Sequence, residues 1–392
     1  MNKLLLNTGV QYFIKNFSES DTLSVLLKKP IFEGISQKEL VAQLEARKKC
    51  KEKLPTWFNT ENIYYPNKLN IEQSSSEITA QYKADLIEGK SLLDLTGGFG
   101  VDTYYFAKKI NRVVHVELNP DLSAIAAHNF NVLGSENVTC VSNDGIAFLN
   151  QTKNSFDWIY VDPSRRDDVK GKVFLLKDCL PNLPQQLPLI FKHTENVLVK
   201  TSPLLDIKRV ISELSFVKEV HVVALRNEVK ELLFTLERDY LGSVVIKAVN
   251  LRVKNNVEFS FIWEEEAAAK INMGIPDQYL YEPNAAILKS GGFKLVGEKF
   301  GVKKLHHHSH LYTASERIDF PGRRFKIVQV HPYSKSHLKH LEKKKANITK
   351  RNFPISVAAI RKKHKIKDGG EIYLFFTTDL NDDLIVLECN KI

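Results

Sequence analysis

Residues 158–167 read WIYVDPSRRD, an apolar run that ends in an aspartate, a proline and two adjacent arginines. Asp162 can accept a hydrogen bond or a proton from an N–H or O–H group. Pro163 stiffens the turn, and the guanidinium groups of Arg165 and Arg166 can hold a phosphate or stack on a base. The alternative is a surface turn in which the arginines pair with Asp167 and Asp168. Three more acids close similar runs: Asp94 ends SLLD, Glu117 ends VVHVE, and Asp144 follows VTCV. Between the first two lies LTGGFG, where Thr96, Gly97, Gly98 and Gly100 form a tight turn whose backbone a ligand can approach closely. The dinucleotide fingerprint G-x-G-x-x-G fails, because its third glycine falls on Thr103. Glu117 stands 23 residues after Asp94, the distance at which a carboxylate reaches ribose hydroxyls at a switch point. Asp144, next to Gly145, can accept from an adenine amino group. Four acids at the carboxyl ends of four successive strands point into one crevice.

The elements that must position them alternate. SLLDL, VVHVEL, VTCV, DWIYVD, VLVKT, VHVVAL and ELLFTLE are short β-rich runs, and helix-forming segments separate the first several. This predicts an α/β, Rossmann-like, doubly wound parallel sheet of seven strands. HVVAL and ELLFTLE are only five residues apart, so they must pair as an antiparallel hairpin. Upstream, residues 1–71 read as helical. Ser36 and Glu39 form a capping box ahead of Leu40, Val41 and Leu44, and Pro55 stops that helix. NIYYPNKLNIEQ reads as a linker; Ser74 with Glu77 opens the next helix, which carries Ile78, Tyr82 and Leu86 on one face and is closed by Gly89. Two further strand candidates, VVIKAVNL and VEFSFIW, precede EEEAAAK, the passage to a smaller C-terminal α+β region.

A chain of 392 residues with 43% apolar content fills two or three cores. Cys50, Cys140, Cys179 and Cys389 are widely spaced, which argues against disulfides and thiol-bound metal. Without a signal-like or membrane-spanning run, the expectation is a cytoplasmic protein with no membrane contact. Nothing points to an obligate protein partner. The net charge of +10 is localised: residues 321–368 hold fifteen Lys or Arg against Glu342 and Asp368, a net of +13. Interleaved Phe325, Tyr333 and Phe353 mark this region as folded, and a folded basic surface suits a polyanion, with a solvated charged face as the alternative. HHHSH at 306–310 would align His306, His308 and His310 on one face of a strand, yet no acid or cysteine is adjacent in sequence, so no metal site is expected.

With these motifs in view, residues 72–240 resemble the class I S-adenosylmethionine-dependent methyltransferases. DLTGGFG stands for the family's D/E-x-G-x-G-x-G, with Thr96 in place of the first glycine. YLYEPNAAILKSGGF, KRNFP and KIKDGGEIYLFFT are similar to a bacterial group that adds a ferredoxin-like segment and a THUMP-like domain. The resemblance implies domains at 1–71 (helical), 72–275 (methyltransferase), 276–319 (ferredoxin-like) and 320–392 (THUMP-like). It implies S-adenosyl-L-methionine as cofactor, held by Gln73, Ser75, Asp94, Thr96, Gly97, Gly98, Gly100, Glu117 and Asp144; N-capping is an equal role for Ser75 and Ser76. It implies an RNA substrate, tRNA or rRNA, methylated at a base nitrogen. Asp162, Pro163 and Arg165 are the catalytic candidates; Arg165, Arg166, Arg351, Lys362 and Lys363 are the substrate-binding ones. The D-P-S-R-R turn lacks the aromatic of the N/D-P-P-Y/F form, and VKTSP lacks the cysteine that uracil-5 chemistry needs. A small-molecule or protein methyltransferase and a non-catalytic RNA-binding protein stay open as alternatives.

Overall fold

The computed structural model describes the chain except residues 18–21, 28, 166–174 and 253–254. By contact it divides into two compact units, Met1–Lys218 with Leu233–Leu241, and Glu219–Leu232 with Gly242–Ile392. The first unit opens with helices, of which Gln37–Lys53 is the longest; the Ser36–Glu39 capping box forms as the sequence requires. Five parallel strands follow: β1 (Ser91–Asp94), β2 (Arg112–Glu117), β3 (Val138–Ser142), β4 (Trp158–Val161) and β5 (Asn196–Thr201). Helices Val101–Ala107, Pro120–Val132 and Gly145–Gln151 connect them, and Asn119 and Pro120 take the N-cap and first-turn positions.

β6 (Val217–Leu225) and β7 (Glu228–Glu237) form the expected hairpin. Arg226 and Asn227 both have positive φ, at 52° and 68°, as a two-residue turn matching strand twist demands. The strand count differs from seven. β8 (Val245–Leu251) runs parallel to β6, and β9 (Val257–Ile262) pairs antiparallel with β8. The order is therefore β9-β8-β6-β7-β5-β4-β1-β2-β3, nine strands. β8 is buried at Ile246, Ala248, Val249 and Leu251, on both faces, which is how a strand with neighbours on either side reads.

Two other local readings change. Lys68–Gln73 inside the supposed linker is a helix, because the Asn67 side chain caps Asn70 and Ile71 buries. The next helix, Glu77–Asp85, is capped by Ser76 rather than Ser74 and buries Ala80, Lys83 and Ala84, leaving Ile78 exposed. EEEAAAK contributes to a short helix, Trp263–Ala268.

The second unit also holds an eight-stranded sheet of β10 (Tyr279–Pro283), β11 (Lys303–Lys304), β12 (Tyr312–Ala314), β13 (Gly322–Pro332), β14 (Lys345–Arg351), β15 (Lys367–Asp368), β16 (Ile372–Thr378) and β17 (Leu384–Lys391). Its order is β11-β12-β10-β13-β17-β16-β14-β15. Phe353, Ile360, Leu374, Phe376 and Val386 form one core cluster, and Leu280, Phe325, Phe375 and Leu387 another. Phe325 and Phe353 are thus interior and half-buried Tyr333 packs against the core, so the basic region is folded. HHHSH is a turn, not a strand.

Candidate active site

The glycine turn after β1 is shaped by close approaches. A Cβ on Gly97 would stand 2.2 Å from the His115 ring and one on Gly100, at φ +86°, 2.4 Å from Phe130. Gly98 differs: its nearest neighbour would be 3.9 Å away, so its outer side is open. The Gly98 N–H donates to Glu117 Oε2 at 2.8 Å, and the Asn119 N–H donates to Oε1 at 2.8 Å. Two backbone donors therefore fix the Glu117 carboxylate beside the open glycine. Asp144 is exposed and caps the helix Gly145–Gln151 by accepting from the Ala147 N–H through Oδ1 at 2.8 Å.

Asp94 is buried beneath the turn. Its Oδ1 accepts from Thr96 N at 3.0 Å and its Oδ2 from the Thr103 hydroxyl at 2.6 Å, while His115 Nδ1 lies 2.9 Å from Thr103 Oγ1. With Asp94 ionised, Thr103 donates to it and accepts the His115 Nδ1–H, an ordered chain of two hydrogen bonds. Burial raises the Asp94 pKa to about 7 against the lowering effect of these donors, and Asp102 and Asp162 raise it further. Burial also takes His115 down to about 4, so the imidazole is neutral.

Asp102, at the start of the next helix, is the hub. Ser75 Oγ donates to its Oδ2 at 2.9 Å and Tyr160 OH at 2.8 Å, while the fully buried Lys83 ammonium stands 3.2 Å from Oδ1 and 3.0 Å from Ser75 Oγ. Burial alone would raise the Asp102 pKa; Lys83, Lys200 and the two hydroxyls outweigh it and hold the carboxyl below its usual value. Asp162 follows β4 and is one-third exposed. Its N–H donates to Thr96 Oγ1 at 2.7 Å, and Lys200 of β5 ion-pairs with its Oδ2. Thr96, the departure from the family's glycine pattern, thus ties the β1 turn to the end of β4.

Comparisons with known proteins give the family. A crystal structure from Porphyromonas gingivalis, provisionally described as a methyltransferase, is 33% identical, covers 100% of this chain and 99% of its own, and superposes with a TM-score of 0.90. Residues 279–321 match the model of a ferredoxin-like domain, and 322–391 that of a THUMP-like domain. The chain belongs to the class I S-adenosylmethionine-dependent methyltransferases with ferredoxin-like and THUMP-like domains. An uncharacterised S-adenosylmethionine-dependent methyltransferase of Mycobacterium tuberculosis is 21% identical over 78% of this chain and 82% of its own. An uncharacterised RNA methyltransferase of Mycoplasma mobile is 36% identical over 22% of this chain and 25% of its own. Residues 25–167 also match the protein-L-isoaspartate O-methyltransferase model.

As in this family, S-adenosylmethionine is the cofactor, and the site suits it. The open face at Gly98 admits a ligand to the backbone, and Glu117 is oriented beside it. Once Asp94 is ionised, Asp94, Asp102 and Asp162 outnumber Lys83 and Lys200, an excess of negative charge that complements a sulfonium. Of the predicted residues, Ser75, Asp94, Thr96 and Asp162 join one network, while Gly97, Gly98, Gly100 and Glu117 shape the turn beside it. Gln73 is exposed, and its side chain makes no hydrogen bond among the described residues. Pro163 is half-buried, Arg165 is described in its backbone alone, pairing with Cys179, and Arg166, Asp167 and Asp168 lie outside the described residues.

Sequence reasoning missed Lys83, Asp102, Thr103, His115, Tyr160 and Lys200. The signal for Lys200 and His115 was an ionisable residue inside an apolar strand, NVLVKT and VVHVE; the others carried none. In the second unit, Arg351 donates through Nε and Nη2 to Glu282 Oε1 at 3.0 and 2.8 Å, and Arg323 pairs with Oε2 of the same buried carboxylate. Lys362 and Lys363 are exposed on the helix Val357–His364; Lys363 Nζ donates to Tyr333 OH at 3.0 Å. Among HHHSH, His306 lies 2.9 Å from Asp382 and from Asn352, His310 stacks on Phe293, and the rings of His306, His307 and His308 stand 5.5, 6.0 and 6.5 Å from one another. No helix among the described residues is long and apolar enough to cross a membrane.

Proposed function

We propose that the protein methylates a base nitrogen of RNA, tRNA or rRNA, and that its basic C-terminal region, residues 320–392, presents that RNA to the methyltransferase region. The observation that carries this reading is the placement of charge. Exposed Lys343, Lys344, Lys345, Lys350 and Lys362 have no acidic partner among the described residues. Lys350 also lines a recess of about 440 Å³ with Asn352, Phe353, Pro354 and Thr378, the KRNFP segment. Exposed lysines without acidic partners suit a phosphate chain.

When bound, S-adenosylmethionine supplies an electrophilic methyl group on sulfur, which asks for in-line positioning and, at an N–H nucleophile, removal of a proton. The chain offers Asp162 for that proton. Lys200 holds Oδ2 and so fixes the carboxylate, and among the described residues no donor occupies Oδ1, which faces the substrate in this reading. Glu117 takes the ribose hydroxyls, Asp144 the adenine amino group through its uncapped oxygen, and the backbone at Gly97, Gly98 and Gly100 lies along the methionine. Arg165 and Arg166 hold the target nucleotide.

The test is transfer of labelled methyl groups by purified full-length protein, with RNA from cells lacking the gene, followed by mass spectrometry of the nucleosides. A labelled base with wild type and none with Asp162→Asn is expected. Label in protein carboxyl groups or small molecules, with none in RNA, sinks the reading.

A further inference from the structure

We propose a divalent metal site in the C-terminal domain, formed by His331, His340 and Glu388, with zinc the ion its nitrogen and oxygen donors best suit. Among the described residues these three bring one ligand atom each within 4.8 Å of one another. They come from three places that the fold, not the sequence, joins. His331 lies near the end of β13, Glu388 lies on the paired strand β17, and His340 lies on the short 3-10 turn Lys339–Leu341. His331 is opposite Val386 and Gln329 opposite Glu388, so His331 and Glu388 are diagonal neighbours on one face.

The hydrogen bonds leave the right atoms for a metal. His340 Nδ1 lies 3.0 Å from the His337 carbonyl, which can only accept, so Nδ1 carries the proton and Nε2 is the atom left to bind. An Nδ1–H held by a backbone carbonyl is the contact that commonly orients a metal-binding imidazole. His340 Nε2 lies 3.0 Å from Glu388 Oε2, and His331 Nε2 lies 3.6 Å from the same oxygen. Zinc–ligand bonds of about 2.0–2.2 Å place two ligands of a tetrahedron roughly 3.3–3.6 Å apart, within a few tenths of an ångström of both distances. The independent observation is His331. Its side chain is 7% exposed, and its Nε2 is buried without a hydrogen-bond partner while aimed at that carboxylate. A buried polar nitrogen with no partner is costly, and an ion at this point would satisfy it.

Two imidazoles and one carboxylate leave a fourth position open to solvent, as in sites that exchange their ligands. The ion would also tie the turn to both strands, so metal binding and stability of this domain are linked.

Full-length, tag-free protein, stripped with a chelator, should take up one tight equivalent of Zn²⁺ in competition with a chromophoric chelator. Co²⁺ in its place should give the intense visible bands of four-coordination. His340→Ala, at a residue 39% exposed and so tolerant of change, should weaken that equivalent by at least the roughly 10- to 100-fold that loss of an outer-shell partner costs. Glu388→Gln should do the same, and Zn²⁺ should raise the unfolding temperature of wild type but of neither variant. The double variant His307→Ala/His308→Ala in HHHSH should bind as wild type. No tight equivalent, or one that survives His340→Ala and disappears with the HHHSH change, overturns the proposal.

Discussion

Asp102 and Glu282 are both buried carboxylates with two cations nearby, and their surroundings differ in sign. Around Asp102, Lys83 and Lys200 face three carboxylates, Asp94, Asp102 and Asp162. At Glu282, Arg323 and Arg351 share a single carboxylate. With Asp94 ionised, the first cluster is one positive charge short; the second is one positive charge over. Imbalance of this kind is costly in a protein interior unless a ligand or solvent completes it. The first imbalance suits the sulfonium of S-adenosylmethionine; the second lies at arginines about one-third exposed (35% and 37%), where solvent or the phosphate chain of the proposed function can complete it.

The comparison breaks most visibly at Asp162. Asp162→Asn keeps the shape and loses the proton acceptor, so turnover should fall by about 100- to 10,000-fold while cofactor affinity stays near wild type. Steady-state methylation alongside calorimetry checks this; an unchanged turnover number would show that proton removal lies elsewhere. Next is Lys83→Met, which strands Asp102 without its buried partner. Denaturant unfolding should show a loss of about 3–5 kcal/mol, against roughly 0.5 kcal/mol or less for exposed Lys362→Met. If the two cost the same, the buried cluster is not holding the first unit together. Glu117→Ala should weaken the cofactor by around 10- to 100-fold, the loss of hydrogen bonds to a charged group, and calorimetry with the demethylated product checks it.

A subtler test uses pH. Asp94, at about pKa 7, is mostly protonated below neutrality and ionised above it. A cationic ligand favours the ionised form, so binding lowers this pKa, and affinity should improve as pH rises through about 7, by up to tenfold per unit of the lowering. Asp94→Asn should flatten the profile. His115, neutral down to about pH 4, does not contribute in that window. A wild-type profile that is flat, or that falls above neutrality, contradicts the charge account.

Much of the fold was legible because period and punctuation agreed: alternating β-rich and helix-forming segments, the Ser36 box, and the five-residue gap that demanded a hairpin. The strand count was not, since VVIKAVNL looks the same at a sheet edge and inside it, and only pairing with β6 and β9 buries both its faces. The site was half legible. Asp94, Glu117 and Asp162 announce themselves by ending apolar runs, but Lys83 hides in a helix whose apolar residues suggested another face. Ile78 is exposed and the lysine is buried, because pairing with Asp102 outweighs the hydrophobic pattern. The triad of His331, His340 and Glu388 was invisible, as no local spacing joins β13 to β17.

The most direct measurement is the salt dependence of two affinities on the same full-length protein. RNA affinity should fall by about 0.7 to 0.9 log units per decade of salt for each phosphate neutralised, and substituting Lys343, Lys344, Lys350 and Lys362 should make that slope shallower. Cofactor affinity, set inside the buried cluster, should barely move with salt or with those substitutions. RNA affinity that ignores both salt and the lysines, or cofactor affinity that falls along with it, would contradict the division of the molecule into a cation-binding site and an anion-binding domain.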